Sequence, residues 1–233
     1  MPIRPIVIAF DVIETLFALE PLAERLRAVG LPPEALRVFF AGMLRDAFAL
    51  EASGTYRPFK EVAYASLAVT MANYGVSPDQ AKIVQMLDGF AELPAHPDVR
   101  PAFERVRSAG LRIITLTNGA AESTQHLLAR AGVLAFVERT VSIDEIGHWK
   151  PSRDVYLHAA RAGGVDPSRL GLVAAHAWDT HGAKQAGLVT GWVQRQDKEV
   201  LSVFSAPDVP RCPRDDADRS RRSAVDPARG LKP

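Results

Sequence analysis

The sequence has a single cysteine, no long hydrophobic run and no excess of either charge. With only Cys212, an intrachain disulfide is excluded and a reducing compartment is compatible. The first ten residues hold too short an apolar stretch for a signal peptide, and no later run approaches membrane-spanning length. Lysine and arginine number 28 against 27 acidic residues, which argues against nucleic acid or a membrane as a partner. These absences predict a cytoplasmic protein.

The chain does have the apolar content and the alternation of an α/β domain. At 233 residues and 47% hydrophobic content, it can bury a sizeable core. Residues 6–10, IVIAF, are β-branched and aromatic without helical periodicity, which is typical of a buried strand. After Pro94, helices alternate with strand patterns at 111–117 and in FVERTVSI, LGLVAAHA and GLVTGWVQR. This alternation predicts a doubly wound parallel sheet with helices on both faces.

A block of helical pattern, residues 18–92, interrupts this alternation after the first strand. Apolar side chains recur at helical spacing from Leu36 to Phe48, and Pro32-Pro33 and Ser77-Pro78 look like helix starts. The block reads as four helices without a strand, placed above the carboxyl ends of the strands. We therefore predict a core formed by 1–17 and 93–205, an inserted α-helical cap at 18–92, and a poorly ordered tail at 206–233.

Polar residues stand where the predicted strands end. Asp11 follows the first strand, Thr117-Asn118 ends the second, Lys150 precedes Pro151, and Asp179 follows LVAAHAW. A doubly wound sheet brings its strand ends to one edge, so these side chains are expected to share a cleft. Two carboxylates, a lysine and hydroxyl or amide donors fit nucleophilic catalysis by a carboxylate that the lysine keeps ionised.

Four motifs occur in the order FDxxxTL, LTNG, WKPxxxxY and AWDxxGA. In this order the chain resembles the haloacid dehalogenase superfamily, and within it the L-2-haloacid dehalogenase (type II) branch, over roughly residues 5 to 200. The resemblance implies a Rossmann-like core with a helical cap inserted after the first strand. It also implies hydrolysis of short 2-haloalkanoic acids without a metal or other cofactor.

The resemblance assigns roles to residues of this chain. Asp11 looks like the family nucleophile, which forms an ester that water near Asp179 then hydrolyses. Lys150 resembles the lysine that pairs with the nucleophile, and Thr15, Thr117 and Asn118 would orient Asp11 or bind the substrate carboxylate. Tyr156 and Trp178 would line the substrate pocket. The alternatives are structural: Asp179 could cap a helix, Thr15 could cap a turn and Trp178 could only pack.

Some positions depart from the family pattern. Ile13 stands where the superfamily's phosphatases carry a second aspartate, and Ala175 where they tend to have a further acid. Fewer carboxylates weaken a Mg²⁺ site, and a leaving halide needs no acid, so both departures favour carbon–halogen displacement.

Other departures concern substrate binding. Phe40 falls where the type II branch carries a cap arginine, and Arg45 is the nearest basic residue, fitting either an anion ligand or a solvated side chain. His176 stands where an asparagine is usual, and it fits a hydrogen-bonded core residue as well as a base.

Three functions stay open from the sequence. The first is a metal-independent 2-haloacid dehalogenase acting on a small molecule, and the apolar excess at 36–48 is compatible with a homodimer. The second is a Mg²⁺-dependent phosphatase of the same superfamily. The third is a non-catalytic small-molecule binder, which stays possible because the cap arginine of the type II branch has no counterpart at Phe40.

Overall fold

The computed structural model describes residues 4–209. They contain five strands, eight α-helices and four short 3₁₀ helices. The strands are β1 (Val7–Phe10), β2 (Arg112–Thr117), β3 (Arg139–Ser142), β4 (Leu170–Ala174) and β5 (Val189–Trp192). The helices are α1 (Leu22–Ala28), α2 (Ala35–Ala52), α3 (Phe59–Asn73), α4 (Gln80–Leu87), α5 (Val99–Ser108), α6 (Ala121–Arg130), α7 (Arg153–Ala162) and α8 (Ala177–Gln185).

The five strands form one parallel sheet in the order β3-β2-β1-β4-β5. β1 is central, and its Phe10 pairs in register with Thr115 of β2 and Val173 of β4. Every residue of β1 is buried, as its apolar run requires of a strand covered on both faces. The predicted doubly wound α/β fold is thus confirmed, and the carboxyl ends of β1, β2 and β4 lie side by side.

The helical block, α1 to α4, occupies the chain between β1 and β2 and contains no strand. Its longest helix, α2, packs against α3 and buries Phe39, Phe40, Met43 and Ala47, which recur three and four residues apart. This spacing places one apolar stripe on the inner face of α2, and Phe40 belongs to it. Within residues 4–209, no helix is long and apolar enough to cross a lipid bilayer.

The segment after β5 folds back onto the edge of the sheet. The Trp192 N–H donates to the Val209 carbonyl at 3.2 Å, and the Val209 N–H donates to the Thr190 carbonyl at 2.9 Å. Asp208 accepts hydrogen bonds from Thr190 and from Lys184. Residues 206–209, the start of the tail predicted to be poorly ordered, are therefore held by hydrogen bonds. The rest of that tail, including Cys212, lies outside the described residues.

Candidate active site

Asp11 is the first residue after β1, and the turn that follows it fixes its carboxylate. The Asp11 N–H donates to the Val173 carbonyl of β4 at 3.0 Å, which extends the pairing of the two strands by one residue. The turn brings Thr15 back, so that its Oγ1 donates to Asp11 Oδ2 at 2.6 Å and accepts the Ala175 N–H at 2.9 Å. The orientation of the carboxylate is thus set jointly by the ends of β1 and β4.

Lys150 lies between the carboxylates of Asp11 and Asp179. Its Nζ donates to Asp11 Oδ1 at 3.0 Å and to Asp179 Oδ2 at 2.8 Å, and its side chain is fully buried. The Lys150 N–H donates to Asn118 Oδ1 at 3.2 Å, which ties the loop that carries the lysine to the end of β2. A buried ammonium group is tolerated only when anions pair with it, so Lys150 depends on both carboxylates.

Asp179 is the second carboxylate that pairs with Lys150. It lies in the first turn of α8, after the N-cap residue His176, and not at a strand end or at the N-cap as the sequence suggested. Tyr156 Oη donates to Asp179 Oδ1 at 2.7 Å, so each oxygen of this buried carboxylate has a partner. Tyr156 is itself fully buried. The structure therefore corrects the prediction that Tyr156 contacts the substrate, because its hydroxyl is used to orient Asp179.

Burial and charge together set the protonation of these groups. Burial raises the pKa of Asp11, but the Lys150 ammonium, the nearby His176 ring and the Thr15 hydroxyl outweigh burial and lower that pKa well below its usual range. Burial lowers the pKa of Lys150, and the two carboxylates outweigh it and raise that pKa. Burial raises the pKa of Asp179, and the Lys150 charge offsets this only in part. Asp11 is thus the ionised carboxylate, the form that acts as a nucleophile.

A second charged pair, His176 and Glu14, lies beside Asp11. His176 Nε2 is 2.7 Å from Glu14 Oε2, whereas Nδ1 is 3.7 Å from Asp11 Oδ2 and has no hydrogen-bond partner among the described residues. Trp178 stacks on the imidazole with the ring centroids 5.2 Å apart. Burial disfavours the charged ring, but Asp11 and Glu14 outweigh burial and raise the pKa of His176 to about 10. His176 is therefore a charged side chain of the site.

Glu14 is a residue of the site that the sequence did not predict. Among residues 4–209, Glu14 is the one non-glycine residue with a positive φ, +65°. This left-handed backbone costs about 1 kcal/mol for a residue with a Cβ. Its partner, His176, is 162 residues away in sequence. A pair so distant leaves no local pattern, and the backbone conformation is not evident from a glutamate, so nothing in the sequence signals it.

Two adjacent cavities open at this site. The smaller, of about 20 Å³, lies at Asp11 and has room for about one water molecule. It is lined by Asp11, Ile13, Phe40, Leu44, Phe59, Thr117, Asn118, Gly119, His176 and Trp178. A larger cavity of about 640 Å³ adjoins it, since Phe40, Leu44 and His176 line both. The predicted substrate-binding residues Thr117, Asn118, Trp178, Phe40 and His176 therefore share the wall that contains Asp11.

Arg45 lies away from both cavities. Its side chain is 74% exposed, and its guanidinium pairs with the adjacent Asp46 at 2.7 Å. Arg45 follows Phe40 by five residues, so on an α-helix the two side chains point in directions that differ by about 140°. Phe40 is therefore buried beside the site, whereas Arg45 faces solvent. The prediction that Arg45 binds substrate is therefore wrong.

The acidic side chains near Asp11 do not fit a Mg²⁺ site. In the described part of the chain, no three His, Cys, Asp or Glu side chains group in a way that could hold a metal ion. The Lys150 ammonium already occupies the position of a cation between Asp11 and Asp179, and Ile13 and Ala175 add no carboxylate. Mg²⁺ requires several hard oxygen ligands, so these residues do not fit it.

The chain is similar to known hydrolases over most of its length. Residues 7–187 match the family model described as haloacid dehalogenase-like hydrolase. An (S)-2-haloacid dehalogenase from Pseudomonas sp. (strain YL) is 25% identical, covering 86% of this chain and 88% of that protein. A glyceraldehyde 3-phosphate phosphatase from Methanopyrus kandleri is 32% identical, covering 87% and 90%. The structure of L-2-haloacid dehalogenase from Xanthobacter autotrophicus has a TM-score of 0.83 at 25% identity, covering 95% of this chain and 100% of that one.

Proposed function

Because the chain belongs to the haloacid dehalogenase-like hydrolases, we propose that it is a hydrolytic dehalogenase of short 2-haloalkanoic acids, of the (S)-2-haloacid type. The observation that carries the proposal is the Asp11 carboxylate, which is ionised, held by Lys150 and Thr15, and placed on the wall of a small cavity. Several relatives at 24–27% identity are (S)-2-haloacid dehalogenases, which supports this substrate class.

In the proposed first step, Asp11 attacks the carbon that bears the halogen. A carbon–oxygen bond forms as the carbon–halogen bond breaks, and the halide leaves with the bonding electrons. The product is an ester of Asp11. A halide needs no proton to leave, so the step is compatible with an isoleucine at position 13, which can neither give nor take one. Lys150 and Thr15 keep the attacking carboxylate ionised and oriented.

Residues on the cavity wall provide the contacts that a short haloacid needs. The Thr117 hydroxyl accepts the Gly119 N–H at 2.9 Å and keeps its own hydrogen for a ligand. Asn118 uses its Oδ1 for the Lys150 N–H, which leaves the amide NH₂ to donate to a carboxylate. Phe40 and Trp178 supply apolar surface for the carbon chain and the halogen. We propose these four side chains as the substrate-binding set.

In the proposed second step, water attacks the carbonyl carbon of the ester. The bond between that carbon and the substrate oxygen breaks, the 2-hydroxy acid leaves, and the Asp11 carboxylate is restored. The two oxygens of the restored Asp11 carboxylate again accept hydrogen bonds from Lys150 and Thr15, so that the enzyme returns to its starting state.

A phosphatase is the second candidate, because the relative from Methanopyrus kandleri is named as one. Phosphoryl transfer from an ester needs an acid for the leaving oxygen and a metal for the phosphate charge. Ile13 supplies no acid, and Lys150 fills the place between the carboxylates. The dehalogenase proposal therefore fits the side chains of this chain better.

The test of the proposal is halide release from (S)-2-chloropropionate and from haloacetates, measured with and without EDTA. We expect steady release that EDTA does not reduce. p-Nitrophenyl phosphate with Mg²⁺ serves as the competing substrate and is expected to give no turnover. Phosphate release that requires Mg²⁺, without halide release, would support the phosphatase instead. Substrate binding without either reaction would favour a non-catalytic binder.

We expect Arg45→Ala to change kcat/KM for the haloacid by less than about twofold. The residue is exposed, and its ion pair among residues 4–209 is with Asp46; such surface pairs contribute about 0–1 kcal/mol to stability. Steady-state kinetics of Arg45→Ala and Phe40→Ala provide a matched comparison on the same helix. Phe40→Ala is expected to raise KM, because Phe40 lines the cavity. A large loss in Arg45→Ala would contradict the placement of this arginine.

A further inference from the structure

The lysine segment, residues 143–150, follows β3 and ends at Lys150. Glu51, in the last turn of α2, contacts this segment from the helical block. Its Oε2 accepts the Trp149 N–H at 2.8 Å, and its Oε1 lies 3.0 Å from His148 Nδ1. Each oxygen of this carboxylate therefore contacts one of the two residues that precede Lys150.

The side chain of Trp149 is also held by the helical block. Trp149 is fully buried, and its indole Nε1–H donates to the Arg57 carbonyl at 2.9 Å. The indole stacks on Phe59, with the ring centroids 6.2 Å apart and the planes inclined by 28°. Both N–H groups of Trp149 thus donate to acceptors in the block, and buried donors need such acceptors. The buried position of Trp149 therefore depends on contact between the lysine segment and the helical block.

We infer that Glu51 is a positioning residue, which acts through Trp149 to keep the Lys150 ammonium in place, an inference that rests on the function proposed above. The Trp149 N–H donates to a carboxylate, and such charge-assisted hydrogen bonds are shorter and roughly twice as strong as neutral ones. The Lys150 N–H donates at 3.2 Å to the neutral amide oxygen of Asn118. The stronger of these two backbone hydrogen bonds is therefore the one that Glu51 accepts.

The Lys150 ammonium tolerates little movement. Its Nζ donates to Asp11 at 3.0 Å and to Asp179 at 2.8 Å, and the whole side chain is buried. A flexible stem of four carbons carries this group, so its position depends on the backbone to which the stem is attached. A misplacement of about 1 Å at a reacting centre can cost about 10²-fold in rate. A backbone shift at Trp149 should therefore disturb the contact of Lys150 with the nucleophile, Asp11.

Glu51 would act without touching the substrate. It is not among the described residues that line the cavity at Asp11 or the larger cavity beside it. Its loss should therefore lower kcat, which depends on the attacking carboxylate, and leave KM almost unchanged. This split separates a residue that positions Lys150 from one that binds the haloacid.

Tyr56 provides a matched comparison, because it joins the same two parts of the molecule. Its hydroxyl donates to Asp144, six residues before Lys150 in the lysine segment. If general docking of the helical block were sufficient, Tyr56→Phe and the loss of Glu51 would have similar effects. If the contact beside Lys150 is decisive, only the loss of Glu51 lowers kcat.

The first experiment measures steady-state and single-turnover halide release by the wild type and by variants of the two residues. Glu51→Ala is expected to lower kcat by about 10–10²-fold, with KM changed by less than about twofold. Glu51→Gln keeps an oxygen that can accept the Trp149 N–H, so it should recover most of the lost rate. Tyr56→Phe should behave as the wild type. Glu51→Asp, shorter by one methylene, should show a smaller loss of kcat and replaces Glu51→Ala if that variant does not fold.

A second measurement, chemical labelling of lysines, does not depend on turnover. Reductive methylation modifies accessible amines, and the fully buried Lys150 of the wild type should resist it. In Glu51→Ala we expect Lys150 to be methylated about tenfold faster or more, and the peptide 143–150 to exchange its amide hydrogens faster. The exposed Lys60 and Lys82 are internal references and should react equally in both proteins. Circular dichroism and urea unfolding establish that the variant is folded.

Different outcomes overturn the inference and the function. Wild-type kcat in a folded Glu51→Ala, with Lys150 still protected from methylation, would remove Glu51 as a positioning residue. A rise in KM without a fall in kcat would assign Glu51 to substrate binding, and equal losses in Tyr56→Phe and Glu51→Ala would assign it to docking; either overturns the inference. If the wild type releases no halide, the proposed function is wrong, and methylation of Lys150 in Glu51→Ala still supports or overturns its placement.

Discussion

Asp11→Asn is expected to abolish halide release, with kcat lower by about 10⁴-fold or more, the scale seen when a nucleophile is removed. The asparagine amide keeps the size of the side chain, and its oxygen can still accept from Lys150 or Thr15. It lacks the negative charge that displaces a halide. The same substitution should prevent any mass increase of the protein in the presence of haloacid, because no ester can form at position 11.

The control for this variant is Asp46→Asn, which removes a carboxylate on the outer side of α2 that, within residues 4–209, forms its ion pair with Arg45. It should keep wild-type activity. Circular dichroism and urea unfolding of both variants establish that the protein is folded. Residual activity in Asp11→Asn above about one part in a hundred of the wild type would show that another group attacks the substrate.

Lys150→Met is expected to lower the free energy of unfolding at pH 7 by about 3–5 kcal/mol, the usual effect of removing one partner of a buried ion pair. Methionine fills much of the same volume, so the loss comes from charge and not from a cavity. Two buried carboxylates, Asp11 and Asp179, are left without their shared cation. Activity at pH 7 should fall as well, since the pKa of Asp11 rises when the lysine charge is gone. Urea denaturation and halide release measure the two effects.

The free energy of unfolding should change with pH in opposite directions in the wild type and in Lys150→Met. In the wild type the pKa of Asp11 is lowered, so its contribution is present above its unfolded pKa of about 3.8 and is lost as the pH falls further. The pKa of Lys150 is raised, so its contribution is present below about 10.5 and is lost as the pH rises through the folded value. In Lys150→Met the buried carboxylates favour the protonated form, so its unfolding free energy should rise on mild acidification.

A double variant is the control for the electrostatic explanation. Lys150→Met combined with Asp179→Asn buries one unpaired charge fewer, so it should be more stable at pH 7 than Lys150→Met alone. The double-mutant cycle measures the coupling of the two residues directly. A double variant less stable than Lys150→Met by the full cost of Asp179→Asn would show that packing, and not the missing cation, causes the loss.

The sequence was sufficient for the sheet and for part of the site. β1 and β2 are mostly buried and rich in β-branched residues, and parallel strands of this kind bring their carboxyl ends to one edge of the sheet. Asp11, Asn118 and Lys150 therefore met as expected, although their places in the sequence are far apart. Such residues are predictable because their position follows from topology alone.

The remaining site residues depend on side-chain direction, which topology does not fix. Arg45 and Phe40 lie on the same helix, and only the packing of α2 against the strand ends decides which of them faces the cavity. The position of Tyr156 in the sequence predicted a pocket residue, but its hydroxyl donates a hydrogen bond to the buried carboxylate of Asp179. Glu14 became a partner of His176 through a left-handed backbone that a turn imposes. These contacts form only once the distant segments have packed.

The segment that covers β5 has a consequence for shortening the chain. An edge strand exposes unpaired N–H and carbonyl groups, which can recruit the same strand of a second molecule and begin aggregation. Here the backbone of Val209 occupies those groups of Thr190 and Trp192. A protein cut at residue 205 would lose these hydrogen bonds and expose the unpaired backbone groups of β5. A protein that ends after Val209 would keep the hydrogen bonds. We therefore expect residues 206–209 to reduce association of the molecule with its own copies, and a shortened chain for crystallisation should retain them.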